Sequence, residues 1–470
     1  MDSPSPTTPA ALDTLPGRVS ARLSPTIVGD VLVPGDSGYD EARRTFLTTD
    51  HRPSVVVLPE SAADVVRAVQ FARSQGMRIA PQSTGHGALP LEPLEGAMLL
   101  KTSRMRRADV YPATRIARAD AGAEWQDVTV PAADHGLAAL AGSSPDVGVI
   151  GYTLGGGLGW LSRRYGLAAN SVTAAEVVTA DGRLARADAD HEPDLFWAVR
   201  GGGGNLGVVT ALEMRLIPVG ELYAGVLFFP IARSSEVLRV WREWTDTVPE
   251  EVSSLARIMR FPDFPEVPEA MRGRAFANVE AAYLGDARTG AEWLRPLREL
   301  GPELDTVATI AAPGLQTLHM DPAEPTAADG DGVFLSDFPA GAIDVVIPLV
   351  GPNAETPLSS FEVRHLGGAL ARDAPEGGAQ SKIDAKFVTF TAGLTPTPEQ
   401  RDAVRAHTQA LEDALTPWRA GYDYYNFAET STEADAVLPR DAYRRLREIK
   451  AHYDPDQVII SGHRVRPAGI

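Results

Sequence analysis

The pattern of apolar and polar positions over residues 54–81 predicts a strand, a helix and a second strand. The run SVVVL at 54–58 is short and rich in β-branched residues, which is typical of a buried strand. Ser61 followed three residues later by Asp64 indicates a helix start, and apolar positions then keep a helical spacing until Gly76. MRIAP predicts the second strand, and the loop after it reads QSTGHGALP.

The pattern of apolar and polar positions from there to residue 219 predicts mostly strands. AMLL is one strand, DVYPATRIARADAGAEW contains a pair, and a helix is predicted from Trp125 to His135. VTAAEVVTADGRLARA reads as a hairpin with Asp181-Gly182 at its turn. DLFWAVR suggests a short helix, and GVVTALEMRLIPV suggests a long strand.

From about residue 221, predicted strands and helices alternate in longer units. YAGVLFF and AFANVEAAYLG read as strands, whereas SSEVLRVWREWTDTV and RTGAEWLRPLREL read as helices. Residues 321–333 are polar and are expected to form a surface loop, and the final predicted helix ends at Asp454-Pro455. The pattern predicts the α+β class, with more than one domain in 470 residues.

Composition narrows the possible functions. Hydrophobic residues make up 44% of the chain and charged residues 23%, as in a soluble globular protein. The formal charge of −18 argues against binding to nucleic acid or to an anionic membrane surface. Because there is neither a secretory signal pattern nor a long apolar run, a cytoplasmic location is expected. Residues 1–29 are expected to be a flexible leader.

The chain has no cysteine, which excludes disulfides, zinc–thiolate sites, iron–sulfur clusters and thiol nucleophiles. Several histidines also lack partners at metal-ligand spacing, and no metal site is predicted. These histidines are His51, His191, His319, His407 and His452.

Two glycine runs resemble nucleotide-binding motifs. Residues 202–207 match G-x-G-x-x-G, but a helix-like segment precedes them and a strand-like segment follows, the reverse of a dinucleotide-binding turn. Gly155, Gly156, Gly157 and Gly159 precede the helix-like WLSRRYGL and could either approach an anion or allow tight packing. Without a following G-K-[ST], they do not form a nucleoside-triphosphate loop.

His86, between two glycines, belongs either to an ordinary turn or to a loop that contacts a phosphate. Together, the glycine-rich segments 82–87, 142–159 and 201–207 favour an extended ligand that carries a pyrophosphate and a bulky ring system. A flavin dinucleotide fits that description without a Rossmann fold.

The ordered motifs of the chain resemble the berberine-bridge-enzyme-like FAD-linked oxidases of the vanillyl-alcohol-oxidase/PCMH superfamily. The resemblance runs from about residue 30 to the C-terminus and includes STGHG, GSSPDVGVIGYTLGGGLGW, PDLFWAVRGGGGNLGVVT, FEVRHLGGALAR and YYNF. It implies a PCMH-type FAD-binding domain at 30–220, an antiparallel-sheet substrate domain with covering helices at 221–420, and a segment at 421–470 that returns to the FAD domain.

The resemblance also implies a set of residues that contact FAD. They are Gln82, Ser83, Thr84, Gly85, His86, Gly87, Gly142, Ser143, Ser144, Pro145, Val147, Gly148, Gly151, Tyr152, Gly155, Gly207, Val208 and Asn426.

In this family the histidine that matches His86 is joined covalently to the 8α-methyl group of the flavin ring. Many relatives attach the flavin a second time through a cysteine at the position of Ser144. Serine cannot form that thioether, so the resemblance implies a single attachment through His86. Val147 matches the position beside flavin C4a that controls oxygen access, and a side chain of this size implies O₂ as the electron acceptor.

The catalytic residues are expected on the substrate side. Strand alternation in FEVRHLGG places Phe361, Val363 and His365 on one face and Glu362 and Arg364 on the other. Glu362, His365 and Tyr424 are the candidates, with ordinary strand surface as the alternative for the first two. A carboxylate against an apolar flavin face is expected to have a raised pKa.

The predicted function is an FAD-dependent oxidase that removes a hydride from a small aromatic or natural-product-like molecule and passes the electrons to O₂, giving H₂O₂. A flavin-dependent oxygenase or oxidative cyclase acting on a polyketide-like molecule would share every motif. A non-catalytic flavin-binding protein is the remaining alternative.

Overall fold

The computed structural model describes residues 14–265 and 267–469. The first 13 residues of the predicted leader lie outside this part of the chain. The rest of the predicted leader differs from expectation, because residues 15–26 form short helical turns. Val19 and Leu23 in these turns are buried in the core, so the flexible leader predicted for 1–29 is wrong for this stretch.

The described residues form five sheets, three of them with more than two strands. The strands are β1 (Asp30–Leu32), β2 (Val55–Leu58), β3 (Ile79–Gln82), β4 (Met98–Lys101), β5 (Ala108–Tyr111), β6 (Ile116–Asp120), β7 (Leu137–Ala138), β8 (Val172–Thr179), β9 (Leu184–Ala187), β10 (Gly207–Arg215), β11 (Ile217–Pro218), β12 (Glu221–Pro230), β13 (Val252–Arg260), β14 (Ala275–Tyr283), β15 (Leu304–Asp305), β16 (Ala308–Ala311), β17 (Ala328–Asp329), β18 (Phe334–Leu335), β19 (Ser360–His365), β20 (Phe387–Leu394), β21 (Thr432–Glu433) and β22 (His463–Arg464).

The helices of the same residues range from single turns to five turns. They are α1 (Leu15–Arg18), α2 (Tyr39–Ala42), α3 (Ala62–Ser74), α4 (Trp125–Ala133), α5 (Val149–Leu154), α6 (Ser162–Tyr165), α7 (Pro193–Val199), α8 (Ser234–Thr245), α9 (Ala287–Arg298), α10 (Ala340–Val350), α11 (Pro398–Leu415) and α12 (Arg440–Tyr453). None of these helices combines the length and apolar character needed to cross a membrane.

Local chemistry explains the strand–helix–strand unit that begins the N-terminal half. The side chain of Ser61 accepts a hydrogen bond from the backbone N–H of Asp64 at 3.2 Å, which caps the first turn of α3. Asp64 is buried, and its carboxylate accepts the backbone N–H groups of Val28 and Glu60. The predicted unit is therefore confirmed, and one buried carboxylate fixes the chain before β1 onto it.

The N-terminal half contains two sheets that share one hydrophobic core with the C-terminal segment. The first sheet has the order β1-β2-β4-β3, and the second is antiparallel with the order β5-β6-β10-β8-β9. Val458 and Ile459 join this core. Beside β3, the backbone N–H of Ile79 donates to the carbonyl of Val458 at 2.8 Å. The end of the chain thus extends the first sheet.

The middle of the chain forms a nine-stranded sheet with the main order β15-β12-β14-β13-β19-β20-β17. Helices α8 to α11 cover one face of it, where Trp241, Phe361 and Val363 are buried together. The other face packs partly against the N-terminal half, through contacts that include Leu255 and Trp160. The α+β class is confirmed, and the alternation predicted along residues 361–365 places Phe361 and Val363 against the helices.

The structure qualifies two local expectations. The glycine run does precede a helix, but this helix, α6, covers only one turn, and a further short helix, α5, lies directly before the run. The predicted surface loop at 321–333 is exposed only in its first part, because Asp329 is buried in β17 and Val333 is buried in the core. Strand pairing of β17 with β20 accounts for the second difference, and a polar composition does not reveal it.

A buried ion pair connects the C-terminal helix to the glycine segment at 201–207. The ammonium group of Lys450 contacts the carboxylate of Asp454 at 2.6 Å and the carbonyl of Asn205 at 2.5 Å, and both charged side chains are almost completely buried. We expect Lys450→Met to lower the free energy of unfolding by about 3–5 kcal/mol, because it leaves the Asp454 carboxylate without its counter-charge. Urea denaturation measures the loss.

Arg445→Met is the matched control on the same helix, since Arg445 pairs with Asp194 at the exposed surface. It should change stability by less than about 1 kcal/mol. Equal losses in the two variants would contradict a special role for the buried pair.

Candidate functional site

The histidine of the QSTGHG loop is held in one position by its neighbours. The loop follows β3, and Gly85 has a φ of +85°; a Cβ there would lie 2.8 Å from Cβ of Thr45. The His86 ring stacks on Phe46 with a centroid distance of 3.8 Å, and its Nδ1 lies 2.8 Å from the hydroxyl of Thr84. The loop therefore presents His86 in a fixed orientation.

The environment of His86 keeps its imidazole neutral. Burial lowers the pKa of His86 to about 4, and the negative charge of Asp321 opposes this shift only in part. Its Nε2 lies 3.8 Å from the carboxylate of Asp146. A neutral imidazole keeps a nitrogen lone pair at neutral pH, which is the form that can act as a nucleophile.

The second predicted loop, residues 142–148, lies directly against the first. A Cβ on Gly148 would be 3.0 Å from the hydroxyl of Ser83, so the two loops touch there. In the second loop, Ser144 donates a short hydrogen bond to the carboxylate of Asp321, and Ser143 donates to the same group at 3.4 Å. The structure thus brings Asp321, which the sequence reading did not single out, to the predicted cofactor loops.

The YYNF segment approaches the glycine run between α5 and α6. A Cβ on Gly155 would lie 1.8 Å from the side-chain oxygen of Asn426, so only glycine fits there. The Asn426 amide donates to the carbonyl of Tyr152 at 2.9 Å and to the hydroxyl of Tyr424 at 3.2 Å. Asn426 is therefore packed against Tyr152 and Gly155, which lie about 270 residues earlier in the sequence.

Close packing within the protein explains the glycines of the third glycine-rich segment, residues 201–207. A Cβ on Gly207 would lie 2.6 Å from the carbonyl of Val178 on the neighbouring strand, and Val208 is buried in the core. A Cβ on Gly203 would meet the hydroxyl of Tyr425 at 2.1 Å. These glycines let two chain segments approach closely.

The donors and open spaces of the two predicted loops fit a dinucleotide. The side-chain nitrogen of Gln82 and the hydroxyl groups of Ser83 and Tyr152 are buried without a hydrogen-bond partner. A Cβ added at Gly87 or Gly151 would meet nothing within 4 Å, so the backbone faces open space there. Buried donors beside exposed backbone suit the phosphate oxygens and polar ring edge of a flavin dinucleotide.

A buried network of charged side chains lies on the face of the nine-stranded sheet opposite the helices. Arg257 on β13 contacts Glu280 on β14 at 3.2 Å, and Arg364 contacts Glu362 on β19 at 2.6 Å. The imidazole of His319 bridges the two pairs, with Nδ1 2.8 Å from Glu280 and Nε2 2.9 Å from Glu362. Both ring nitrogens face carboxylates, an arrangement that the protonated imidazolium satisfies.

The network reverses one expectation about Glu362. Burial acts to raise the pKa of Glu362, but the charges of Arg364 and His319 outweigh burial and hold the pKa well below its ordinary value. The expected raised pKa is therefore wrong. Burial and Arg257 act to lower the pKa of His319, yet the surrounding carboxylates raise it to about 9. Glu362 and His319 are both charged at neutral pH.

The other two catalytic candidates occupy different surroundings. Tyr424 is completely buried, and burial raises the pKa of its hydroxyl well above the ordinary value. Nε2 of His365 accepts a hydrogen bond from Nη1 of Arg163 at 2.9 Å. Burial and the charge of Arg163 lower the pKa of His365. Asp384, the acidic residue of the segment SKIDAKF, is exposed.

Sequence reasoning missed His319 because its partners come from distant strands. Its partners Glu280 and Glu362 lie 39 and 43 residues away in the sequence, so no local spacing of residues indicates these contacts. Among the described residues, no group of three or more histidines and acidic residues could hold a metal ion.

Comparisons with known proteins identify the cofactor class. Residues 53–188 match the family model described as FAD binding domain. An uncharacterized FAD-linked oxidoreductase, YgaK of Bacillus subtilis, is 26% identical over 92% of this chain and 95% of its own length. The (R)-6-hydroxynicotine oxidase of Paenarthrobacter nicotinovorans is 38% identical over 41% of this chain and 42% of its own length.

The fold comparison agrees with these matches. The xylooligosaccharide oxidase of Myceliophthora thermophila has a TM-score of 0.83 at 22% identity, covering 96% of this chain and all of the other. The resemblance to berberine-bridge-enzyme-like oxidases of the PCMH type is confirmed. Residues 53–188 are thus an FAD-binding domain, within a chain that resembles FAD-linked oxidoreductases along nearly its whole length.

Proposed function

We propose that this protein is an FAD-dependent oxidase that removes a hydride from a small organic substrate and passes the electrons to O₂. The observation that carries the proposal is a neutral His86 in the first loop, 3.8 Å from Asp146 of the second loop, with the unpartnered donors of Gln82 and Ser83 in the same loop. When bound, FAD supplies a two-electron acceptor that O₂ can reoxidise, with release of H₂O₂.

The site residues have different proposed roles toward the cofactor and the substrate. His86 provides the single covalent attachment, since the chain lacks cysteine and Ser144 is hydrogen-bonded to Asp321. Asn426, packed against Gly155 and Tyr152, would form part of the wall of the cofactor site. Glu362 and Tyr424 are the candidates for handling the substrate proton, and each is fixed by a contact to a neighbouring side chain.

We further propose that the functional units follow the two large hydrophobic cores. Residues 30–220 and 421–470 bind FAD, and residues 221–420 bind the substrate. The shared core of the N-terminal sheets with Val458 and Ile459 supports the first unit, and the core beneath helices α8 to α11 supports the second.

The purified, flavin-loaded protein tests the oxidase proposal once a substrate is found among aromatic alcohols, amines and lactols. Anaerobic mixing should bleach the flavin absorbance, and admission of air should restore it with one H₂O₂ per substrate oxidised. Incorporation of ¹⁸O from labelled O₂ into the product would instead identify the oxygenase, and the absence of bleaching with any substrate would contradict an enzymatic role.

Val147 gives a prediction about the electron acceptor. It is only partly buried, and it lies between Asp146 and Gly148 in the loop that contacts the His86 loop. We expect Val147→Leu to slow reoxidation of the flavin by O₂ at least tenfold more than it slows reduction by substrate. The larger side chain narrows access for a gas molecule and leaves the substrate side unchanged.

Stopped-flow measurement of the two half-reactions tests this expectation. Val130→Leu on the exposed side of α4 is the matched control and should alter neither rate. Equal slowing of both half-reactions in Val147→Leu would show that Val147 only packs the loop.

A further inference from the structure

A carboxylate without a cationic partner lies beside the ring of His86. Oδ2 of Asp146 is 3.8 Å from Nε2 of His86, and no arginine or lysine among the described residues forms an ion pair with Asp146. The side chains of Asp146 and His86 are 23% and 22% exposed, so neither is sealed inside the protein. The proposed oxidase reaction does not use this carboxylate, and no ion pair explains its position.

The backbone of the second loop holds Asp146 in this position. The first backbone N–H groups of α4 have no acceptors within the helix. Those of Trp125 and Gln126 donate instead to the carbonyl groups of Val147 at 3.0 Å and of Pro145 at 2.8 Å. None of these hydrogen bonds uses the side chain of residue 146, so a substitution there leaves the loop attached to α4.

Asp146 and Asp321, the two carboxylates whose charges bear on the cofactor loops, differ in basicity. Burial acts to raise the pKa of Asp321, but positive charges, led by that of His319, outweigh burial and lower it. Burial raises the pKa of Asp146, and the negative charges of Glu124 and Asp321 add to this shift, while its own backbone N–H opposes it. Asp146 is therefore the stronger base of the two.

The groups around the His86 ring indicate which nitrogen carries its hydrogen. A negative carboxylate beside Nε2 favours the tautomer with the hydrogen on Nε2, because the N–H dipole then points toward the charge. Nδ1 lies 2.8 Å from the hydroxyl of Thr84 and is then the acceptor in that contact. The Thr84 hydroxyl makes no other hydrogen bond within the described residues, so it can turn away and free the lone pair of Nδ1.

Covalent attachment of FAD requires the same ring to lose a proton. When Nδ1 bonds to the methyl carbon of FAD, a C–H bond breaks, its proton passes to water, and the imidazole stays positively charged until Nε2 loses its hydrogen. The electron pair of the broken C–H bond passes through the flavin to O₂, the acceptor of the proposed reaction. With the two protons released, it gives one H₂O₂ for each C–N bond formed. A group that accepts the Nε2 proton therefore assists the attachment.

We propose that Asp146 is the proton acceptor for the attachment of FAD, taking the proton from Nε2 of His86 as Nδ1 forms the bond. The 3.8 Å separation is longer than a hydrogen bond, and attraction between the carboxylate and the cationic ring closes it during the reaction. The inference rests on the proposed function, because it assigns a further residue to the attachment through His86. Asp146 acts before any substrate is oxidised.

The protein from riboflavin-starved cells, loaded with FAD in air, tests the inference without any substrate. The fraction of flavin that stays with acid-precipitated protein, followed over time, gives the rate of attachment, and flavin absorbance before precipitation gives the total content. Asp146→Asn should bind FAD as wild type does but attach it ~10²-fold more slowly, the usual scale for losing a proton acceptor. Asp441→Asn is the matched control, because Asp441 is exposed and pairs with Arg444, and it should attach FAD at the wild-type rate.

A second variant distinguishes proton acceptance from packing of the loop. Asp146→Ala leaves room for a small acid beside His86, so added formate should raise its attachment rate at least roughly tenfold. Formamide has nearly the same size and shape but is neutral and hardly basic, and it should have no effect. A side chain that only packs the loop would make the variant respond to the two additives alike.

Equal attachment rates in wild type and Asp146→Asn would overturn the inference and leave the attachment through His86 standing. An equal response of Asp146→Ala to formate and formamide would overturn it as well. If one of the two variants fails to bind FAD, the other decides. Wild-type protein that never retains flavin after precipitation would overturn both this inference and the proposed attachment, while H₂O₂ release during substrate oxidation tests the oxidase proposal separately.

Discussion

The His86→Ala variant is expected to release all of its flavin when it is denatured, whereas wild-type protein should stay yellow after acid precipitation. The physical reason is that the stacked, neutral imidazole of His86 is the attachment point we propose, and that no cysteine exists to provide another. Absorbance of the precipitate and mass spectrometry of the flavin-bearing peptide measure the result.

Ser144→Ala is the matched control for this experiment. Ser144 lies in the second loop, but its hydroxyl cannot form a thioether, so the variant should keep its flavin bound through His86. A precipitate of His86→Ala that stays as yellow as wild type would contradict the assignment. A flavin lost from wild-type protein as well would show that the cofactor is held only by non-covalent contacts.

The second prediction with a large expected effect concerns the residue that handles the substrate proton when the hydride is removed. We expect Glu362→Gln and Tyr424→Phe each to lower the rate of flavin reduction by ~10²-fold or more, which is the usual scale for losing a group that handles a proton. Glu362 is an ionised carboxylate fixed by Arg364, and Tyr424 is a buried phenol fixed by Asn426. Anaerobic stopped-flow spectroscopy at unchanged FAD content measures the rates.

The control for the carboxylate is Asp373→Asn, an exposed group that pairs with Lys382 and should leave the rate unchanged. If both site variants reduce flavin at the wild-type rate, neither residue handles the proton. His365 and Asp384 would then be the next candidates to test.

The lowered pKa of Glu362 also predicts how the rate of flavin reduction depends on pH. A carboxylate whose pKa is held below its ordinary value is ionised throughout the neutral range and loses its basic form only under acid conditions. Protonation of Glu362 should therefore not lower the rate of flavin reduction between about pH 8 and pH 5. A fall within that range that Glu362→Gln abolishes would contradict the charged state that the network imposes.

The sequence determined the features that depend on neighbouring residues. The cap at Ser61 and the hairpin turn at Asp181-Gly182 are recognisable, because their geometry is set within about four positions. The motifs likewise indicated an FAD-binding domain, since the glycines of such loops must occupy fixed places relative to the ligand.

Only the tertiary structure decided the chemistry of the substrate side. It placed His319 between two carboxylates from distant strands, lowered the pKa of Glu362 instead of raising it, and left Arg163 buried beside His365. These properties depend on which strands pair and on how much water each group loses. Electrostatic interactions act through space in a medium of low polarity, so the order of residues along the chain does not reveal them.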